Sequence, residues 1–216
     1  MHIRIKICGV TSREAARAAV CAGVDAIGFV FSESPHQVTP AQAAAICKEE
    51  IPPWVQRFAV FRHPLREQVE PVLAEFTPHY VQTEMEVGEC FELPAGVRLM
   101  PVFRDGHDLL ERMRAHLVNG RRYKPRLHLE TSEDHGEQWS RASRVARSCR
   151  LTLAGGLHRE NVQEAIVQVQ PYCVDVSSGV ESSPGVKDSQ KIAEFVRAAW
   201  AGVQILVKRR RREMSG

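Results

Sequence analysis

Short runs in which apolar and polar positions alternate recur along this chain, separated by stretches whose apolar residues return every three to four positions. Alternation sends successive side chains to opposite faces of a strand, whereas the longer period gathers them on one face of a helix. Ile3, Ile5 and Ile7 predict a first strand, and Ser12-Arg13-Glu14 starts a helix through Gly23 with Ser12 as its N-cap. Ala26 to Phe31 predicts a second strand, followed by a turn over Ser32 to Pro40 and a helix through Cys47. Val55 to Phe61 predicts a third, and Pro64 opens a helix on which Leu65, Val69, Val72 and Leu73 share a face. His79 to Gln82 reads as a short fourth strand, Glu86 to Phe91 as a weakly patterned helix, Val97 to Phe103 as a fifth strand and His107 to Leu117 as a helix. Arg126 to Glu130, Leu151 to Ala154 and Tyr172 to Val176 complete the strands. Helices around Trp139 to Ala146 and His158 to Val167 separate them, and a last helix covers Asp188 to Trp200 with a continuation to Val207.

Strands that alternate with helices throughout pair in parallel through right-handed crossovers. Eight such units in 216 residues leave only short loops. A single-domain (β/α)8 TIM barrel over residues 1–207 therefore fits better than an open doubly wound sheet, and no GxGxxG follows the first strand. Lys208-Arg209-Arg210-Arg211-Arg212 forms a solid basic block, expected within a disordered tail over residues 208–216.

With 44% apolar and 25% charged residues the chain can bury one good core. Its six cysteines, Cys8, Cys21, Cys47, Cys90, Cys149 and Cys173, contain no CxxC pair, and the N-terminus lacks the apolar segment of a secretory signal. They are expected as reduced thiols in a cytoplasmic protein. No apolar run reaches the roughly 18 residues of a membrane span. The net charge of +3 does not call for nucleic acid as a partner, although the terminal block could attract polyanions. A monomer or homodimer with a small-molecule ligand is the expectation.

Candidate chemistry lies at the strand ends. Parity places Arg4, Lys6 and Cys8 inside the barrel, with Cys8 at the top and Lys6 one layer below. An ammonium beneath it is expected to favour the thiolate that a base or nucleophile needs. The same rule turns His128 and Glu130 inward, and likewise Cys173, Asp175 and Ser177, so that Cys8, Glu130 and Asp175 converge from three strand tips. Carboxylates in apolar strands are seldom buried without a partner or a task. The turns Ala154-Gly155-Gly156-Leu157 and Ser177-Ser178-Gly179-Val180 follow the last two strands and offer backbone N–H groups to an anion, making Gly155, Gly156, Ser178 and Gly179 candidate phosphate ligands.

Lys6-Ile7-Cys8-Gly9, the Ala26 to Phe31 strand leading to Ser34-Pro35, Val60-Phe61, Leu153 to Leu157 with Glu160-Asn161-Val162, and Asp175 to Glu181 with Pro184 to Asp188 resemble phosphoribosylanthranilate isomerases of tryptophan biosynthesis over nearly the whole chain. The resemblance implies a (β/α)8 barrel without a cofactor or a metal. It also implies an Amadori rearrangement of an N-linked aminoribose phosphate to a 1-amino-1-deoxyribulose phosphate. Cys8 then inherits the role of general base at sugar C2, and the glycine turns hold the phosphate. The acid on the sixth strand, aspartate in the family, is Glu130, and the glycine-rich loop after it reads Glu133-Asp134-His135-Gly136. The family arginine that holds the anthranilate carboxylate aligns with His36, and its QLHG segment reads Gln82-Thr83-Glu84-Met85. Substrate contacts are accordingly expected from His36, Gln82 and Asp175. Another phosphorylated aminosugar, or binding of a phosphometabolite without catalysis, are the alternatives these departures leave open.

Overall fold

The computed structural model describes residues 3–84, 92–117, 126–132 and 136–214. Eight parallel strands close into a barrel in sequence order: β1 Arg4–Cys8, β2 Ala26–Val30, β3 Gln56–Phe61, β4 Tyr80–Glu84, β5 Arg98–Arg104, β6 Arg126–Glu130, β7 Arg150–Ala154 and β8 Cys173–Val176. The strand β1 pairs with β2 on one side and with β8 on the other, Lys6 standing opposite both Ala26 and Asp175. Packed around the barrel are α1 Arg13–Ala22, α2 Pro40–Glu50, α3 Arg66–Glu75, α4 Leu109–Leu117, α5 Gly136–Ala146, α6 Val162–Val169 and α7 Ser189–Glu213.

The period-two reading holds along β1. Ile3, Ile5 and Ile7 are buried in the core shared with the helices, while Lys6 is buried in the barrel interior. Above it, Ser12 caps α1 by accepting from the Ala15 N–H. Thr39 and Gln42 form a reciprocal capping box at α2, which fixes where each strand-to-helix loop ends.

Two sequence expectations change. Leu65 is exposed at the N-cap of α3, because the Gln68 side chain accepts from its N–H at 2.8 Å and starts the helix one residue later. The basic block is no separate tail, since α7 continues through Lys208–Arg212 to Glu213. Arginine and lysine are good helix formers, and cations suit a helix C-terminus. The helix proposed over Glu86 to Phe91 lies outside the described residues.

Candidate active site

The C-terminal ends of the strands open into a cavity of about 350 Å³. Cys8, His36, Gln82, Glu130, Gly155, Gly156, Asp175 and Ser178 all line it, so segments from the first strand to the last meet at one mouth. Gly179 does not line it. A Cβ there would fall 2.0 Å from the Leu157 carbonyl oxygen, so this glycine lets the two late loops touch.

Beneath the mouth Lys6 Nζ donates to Asp175 Oδ2 at 2.6 Å, with both side chains almost fully buried. Burial favours the neutral form of Lys6, but Asp175 and the Cys8 sulfur outweigh it and raise its pKa. That short contact decides the pair in favour of two charges. Much of the Lys6 charge is thereby taken up by a carboxylate. The Cys8 thiol is raised, not lowered: burial pushes it up, Lys6 pulls it down and Asp175 pushes it up again. The thiolate expected from the ammonium below is offset first by burial and then by the ammonium's own partner. Room around the sulfur comes from β2, where a Cβ on Gly28 would lie 2.9 Å from Cys8 Sγ and 3.1 Å from Lys6 Nζ.

His128 on β6 is buried under the same mouth, its Nδ1 3.7 Å from Asp175 Oδ2. Burial first, then Lys6 and Arg104, depress it to about 3, and it stands as a neutral imidazole. Its Nδ1, Gln82 Oε1 and Asp175 Oδ1 are buried without a hydrogen-bond partner among the described residues. Three polar atoms facing one cavity in this way are receptive to ligand hydroxyls.

Glu130 stands at the tip of β6, 3.4 Å from Arg104 Nη1. Arg104 also forks onto Glu84, donating to Oε2 at 3.0 Å and to Oε1 at 2.5 Å. The hydrogen bond from Arg104 accordingly holds Glu84 below the usual carboxylate range. This cluster joins the tips of three neighbouring strands and was not legible in the sequence, because it depends on the register that sets Arg104 opposite Glu130. The β8 loop carries a second cluster. Glu181 Oε1 accepts from Lys187 Nζ at 2.5 Å and meets His36 Nε2 at 2.7 Å. Burial raises the Glu181 carboxyl, but Lys187 and His36 more than reverse this and keep it below its ordinary value. His36 therefore faces the mouth with one ring nitrogen already engaged.

No described carbonyl or side chain accepts from the N–H groups of Gly155, Gly156, Ser178 or Gly179. Gly155 has φ +89° and a Cβ position 1.7 Å from the Thr131 carbonyl oxygen, so the turn requires glycine there.

The whole is a (β/α)8 barrel with a thiol, a carboxyl group and two anion-receptive turns around one mouth. A sequence model of N-(5'phosphoribosyl)anthranilate (PRA) isomerase matches residues 134–198. The chain is 40% identical over 210 residues to the N-(5'-phosphoribosyl)anthranilate isomerase of Trichlorobacter lovleyi, covering 91% of this chain and 98% of that protein. Against the enzyme of Geobacter sulfurreducens it is 39% identical over 204 residues, covering 91% and 98%. The crystal structure of the Thermotoga maritima enzyme superposes with a TM-score of 0.77 at 34% identity, covering 92% of this chain and 98% of that one. An equally similar structure, with the same TM-score, identity and coverage, is of a phosphoribosyl anthranilate isomerase in complex with reduced 1-(o-carboxyphenylamino)-1-deoxyribulose 5-phosphate. The chain belongs to the phosphoribosylanthranilate isomerase family.

Proposed function

We propose that the chain converts N-(5-phosphoribosyl)anthranilate into 1-(2-carboxyphenylamino)-1-deoxyribulose 5-phosphate in tryptophan biosynthesis, with Cys8 as general base and Glu130 as general acid. The observation that carries this reading is the meeting of Cys8, Glu130 and the two late turns in one cavity. The protein acts as a cytoplasmic enzyme. It needs no cofactor.

The chemistry requires two groups of opposite protonation state. A proton from Glu130 to the ring oxygen lets the C1–O bond break, and the nitrogen lone pair forms the C=N bond of an open-chain iminium. Cys8 as thiolate then takes the C2 proton, and that C–H electron pair moves in to neutralise the iminium as an enamine-enol. Tautomerisation to the ketone completes the isomerisation without net gain or loss of electrons. Gly155, Gly156 and Ser178 take the phosphate, while Gln82 and Asp175 meet the sugar hydroxyls. His36 turns its remaining nitrogen toward the anthranilate carboxylate. Arg62, just after β3, lines the same mouth without an ion pair among the described residues, and supplies a positive charge there.

The test is the fluorescence assay of purified protein with freshly generated phosphoribosylanthranilate. Glu130→Gln should abolish turnover and Glu130→Asp retain it, since only proton delivery and reach differ. Normal turnover by Glu130→Gln would remove Glu130 from the mechanism, and a wild-type protein inert toward this substrate would favour another aglycone.

A further inference from the structure

The end of the barrel opposite the mouth carries a second concentration of chemistry. Arg4, Arg98 and Arg126 are the first residues of β1, β5 and β6, and Arg150 is the first of β7. Their guanidinium groups gather around two tyrosines, Tyr80 at the start of β4 and Tyr172 just before β8. Arg126 lies between them, its guanidinium carbon 5.2 Å from the Tyr80 ring centre and 5.0 Å from that of Tyr172. Arg4 and Arg150 each stand 5.4 Å from the Tyr172 ring centre. Three cations thus share one aromatic ring, all within a Debye length of it, about 8 Å at physiological ionic strength.

The hydrogen-bond balance of this floor is one-sided. Arg126 donates to the Tyr80 hydroxyl, to the Tyr172 hydroxyl at 3.0 Å and to Gln56 Oε1 at 3.5 Å, and Arg98 donates to the Tyr80 hydroxyl at 3.4 Å. Both phenol oxygens act as acceptors and keep their own protons to give. Arginine cannot accept, so the cluster presents many donors against one amide oxygen. Among the described residues no carboxylate forms an ion pair with Arg4, Arg98, Arg126 or Arg150, whereas Arg13, Arg17, Arg66, Arg104, Arg141 and Arg159 are so paired. The nearby Asp25 accepts from the Ile5 N–H at 2.9 Å. Helices run back from mouth to floor, so α7 also delivers its Lys208–Arg212 turns to this end.

Like charges held together with unspent donors call for an acceptor-rich counter-ion. We infer that the barrel floor is a binding site for a small multivalent oxyanion of the phosphate type, held by Arg4, Arg98, Arg126 and Arg150 with the Tyr80 and Tyr172 hydroxyls. The planar forks of arginine match tetrahedral oxyanions bidentately, which lysine in the same places would not do. The site is separate from the mouth and does not depend on the reaction performed there.

The experiment titrates full-length protein with inorganic pyrophosphate by calorimetry, comparing wild type with Arg98→Gln/Arg150→Gln, whose two side chains are exposed and whose replacement leaves the core intact. Wild type should show two sites, because the mouth also takes phosphate-type anions. The double variant should weaken one of them by at least about tenfold, as loss of two charge-assisted contacts predicts, and leave the other and the isomerase KM unchanged. Tyr172→Phe, which keeps the ring and removes the O–H, should weaken the same site several-fold. Identical isotherms for wild type and double variant would overturn the proposal, as would a crystal grown in pyrophosphate with the anion at the mouth alone.

Discussion

As the proposed general base, Cys8 sits in surroundings that do not make it easy to ionise, and that shapes the expected pH response. Burial raises its thiol above the ordinary value, so kcat/KM should still be climbing at pH 8 and should level off only above about 8.5, the unperturbed cysteine value. A plateau reached already at pH 7 would contradict Cys8 as the titrating base. Cys8→Ser should lower kcat at least about a hundredfold with little change in melting temperature, as expected on losing a general base. Gly28 tests the same sulfur from the neighbouring strand. Gly28→Ala puts a methyl 2.9 Å from Cys8 Sγ and should cost roughly tenfold or more in kcat, since small displacements of a catalytic group carry such penalties.

His128 gives a residue-scale prediction about stability. Its folded pKa of about 3 lies below the ordinary histidine value of about 6.5, so between those values the unfolded chain binds the proton that the folded chain refuses. Stability is therefore full above pH 6.5 and falls on acidification toward pH 3, at up to about 1.4 kcal/mol per pH unit from this group alone. Lys6 and Arg104 face the ring as cations and Asp175 faces it as a carboxylate whose proximity opposes the fall. Replacing His128 by leucine should flatten urea-derived stability across that window. An unchanged acid slope would show that other groups set it.

At the scale of elements, the turns tolerate least. Gly155→Ala combines a positive φ with a Cβ position 1.7 Å from backbone, so it should cost more than about 2 kcal/mol and displace the phosphate turn. Calorimetric melting of the variant measures this directly. The strands and the mouth residues on them were legible because period two gives each side chain a face: Lys6, Cys8, His128 and Asp175 all lie on the interior side as alternation requires. Helix ends were less legible. Leu65 fits the apolar face of α3, but the start of that helix is fixed by a side chain three residues on. The end of α7 has no apolar period after Val207, yet backbone bonds carry the helix onward. Neither the Arg104 fork nor the pairing of Lys6 with Asp175 could be read from local pattern, since both depend on which strands lie side by side.

For the whole molecule, the family membership explains why the opening and closing motifs meet, whereas the two ends of the barrel have different electrostatic characters. Charges at the mouth are mostly paired, whereas Arg4, Arg98, Arg126 and Arg150 at the floor have no carboxylate ion pair among the described residues. Deleting residues 208–216 should leave kcat and KM unchanged and shift stability by no more than about 0.5 kcal/mol, because the side chains of residues 208–214 are exposed. A markedly raised KM in the truncated protein would tie the end of α7 to the mouth.

The seam between β1 and β8 has a temporal consequence. Lys6 and Asp175 are 169 positions apart, so the ion pair under the Cys8 thiol can form only after the last barrel strand has left the ribosome and docked. Loop closure over such a separation is slow compared with the local strand and helix pairings before it. A nascent chain can thus carry most of its barrel while its Cys8 is still an ordinary surface thiol, open to alkylation. In refolding experiments, recovery of turnover should arrive in the slowest phase, behind the bulk of the helical circular dichroism.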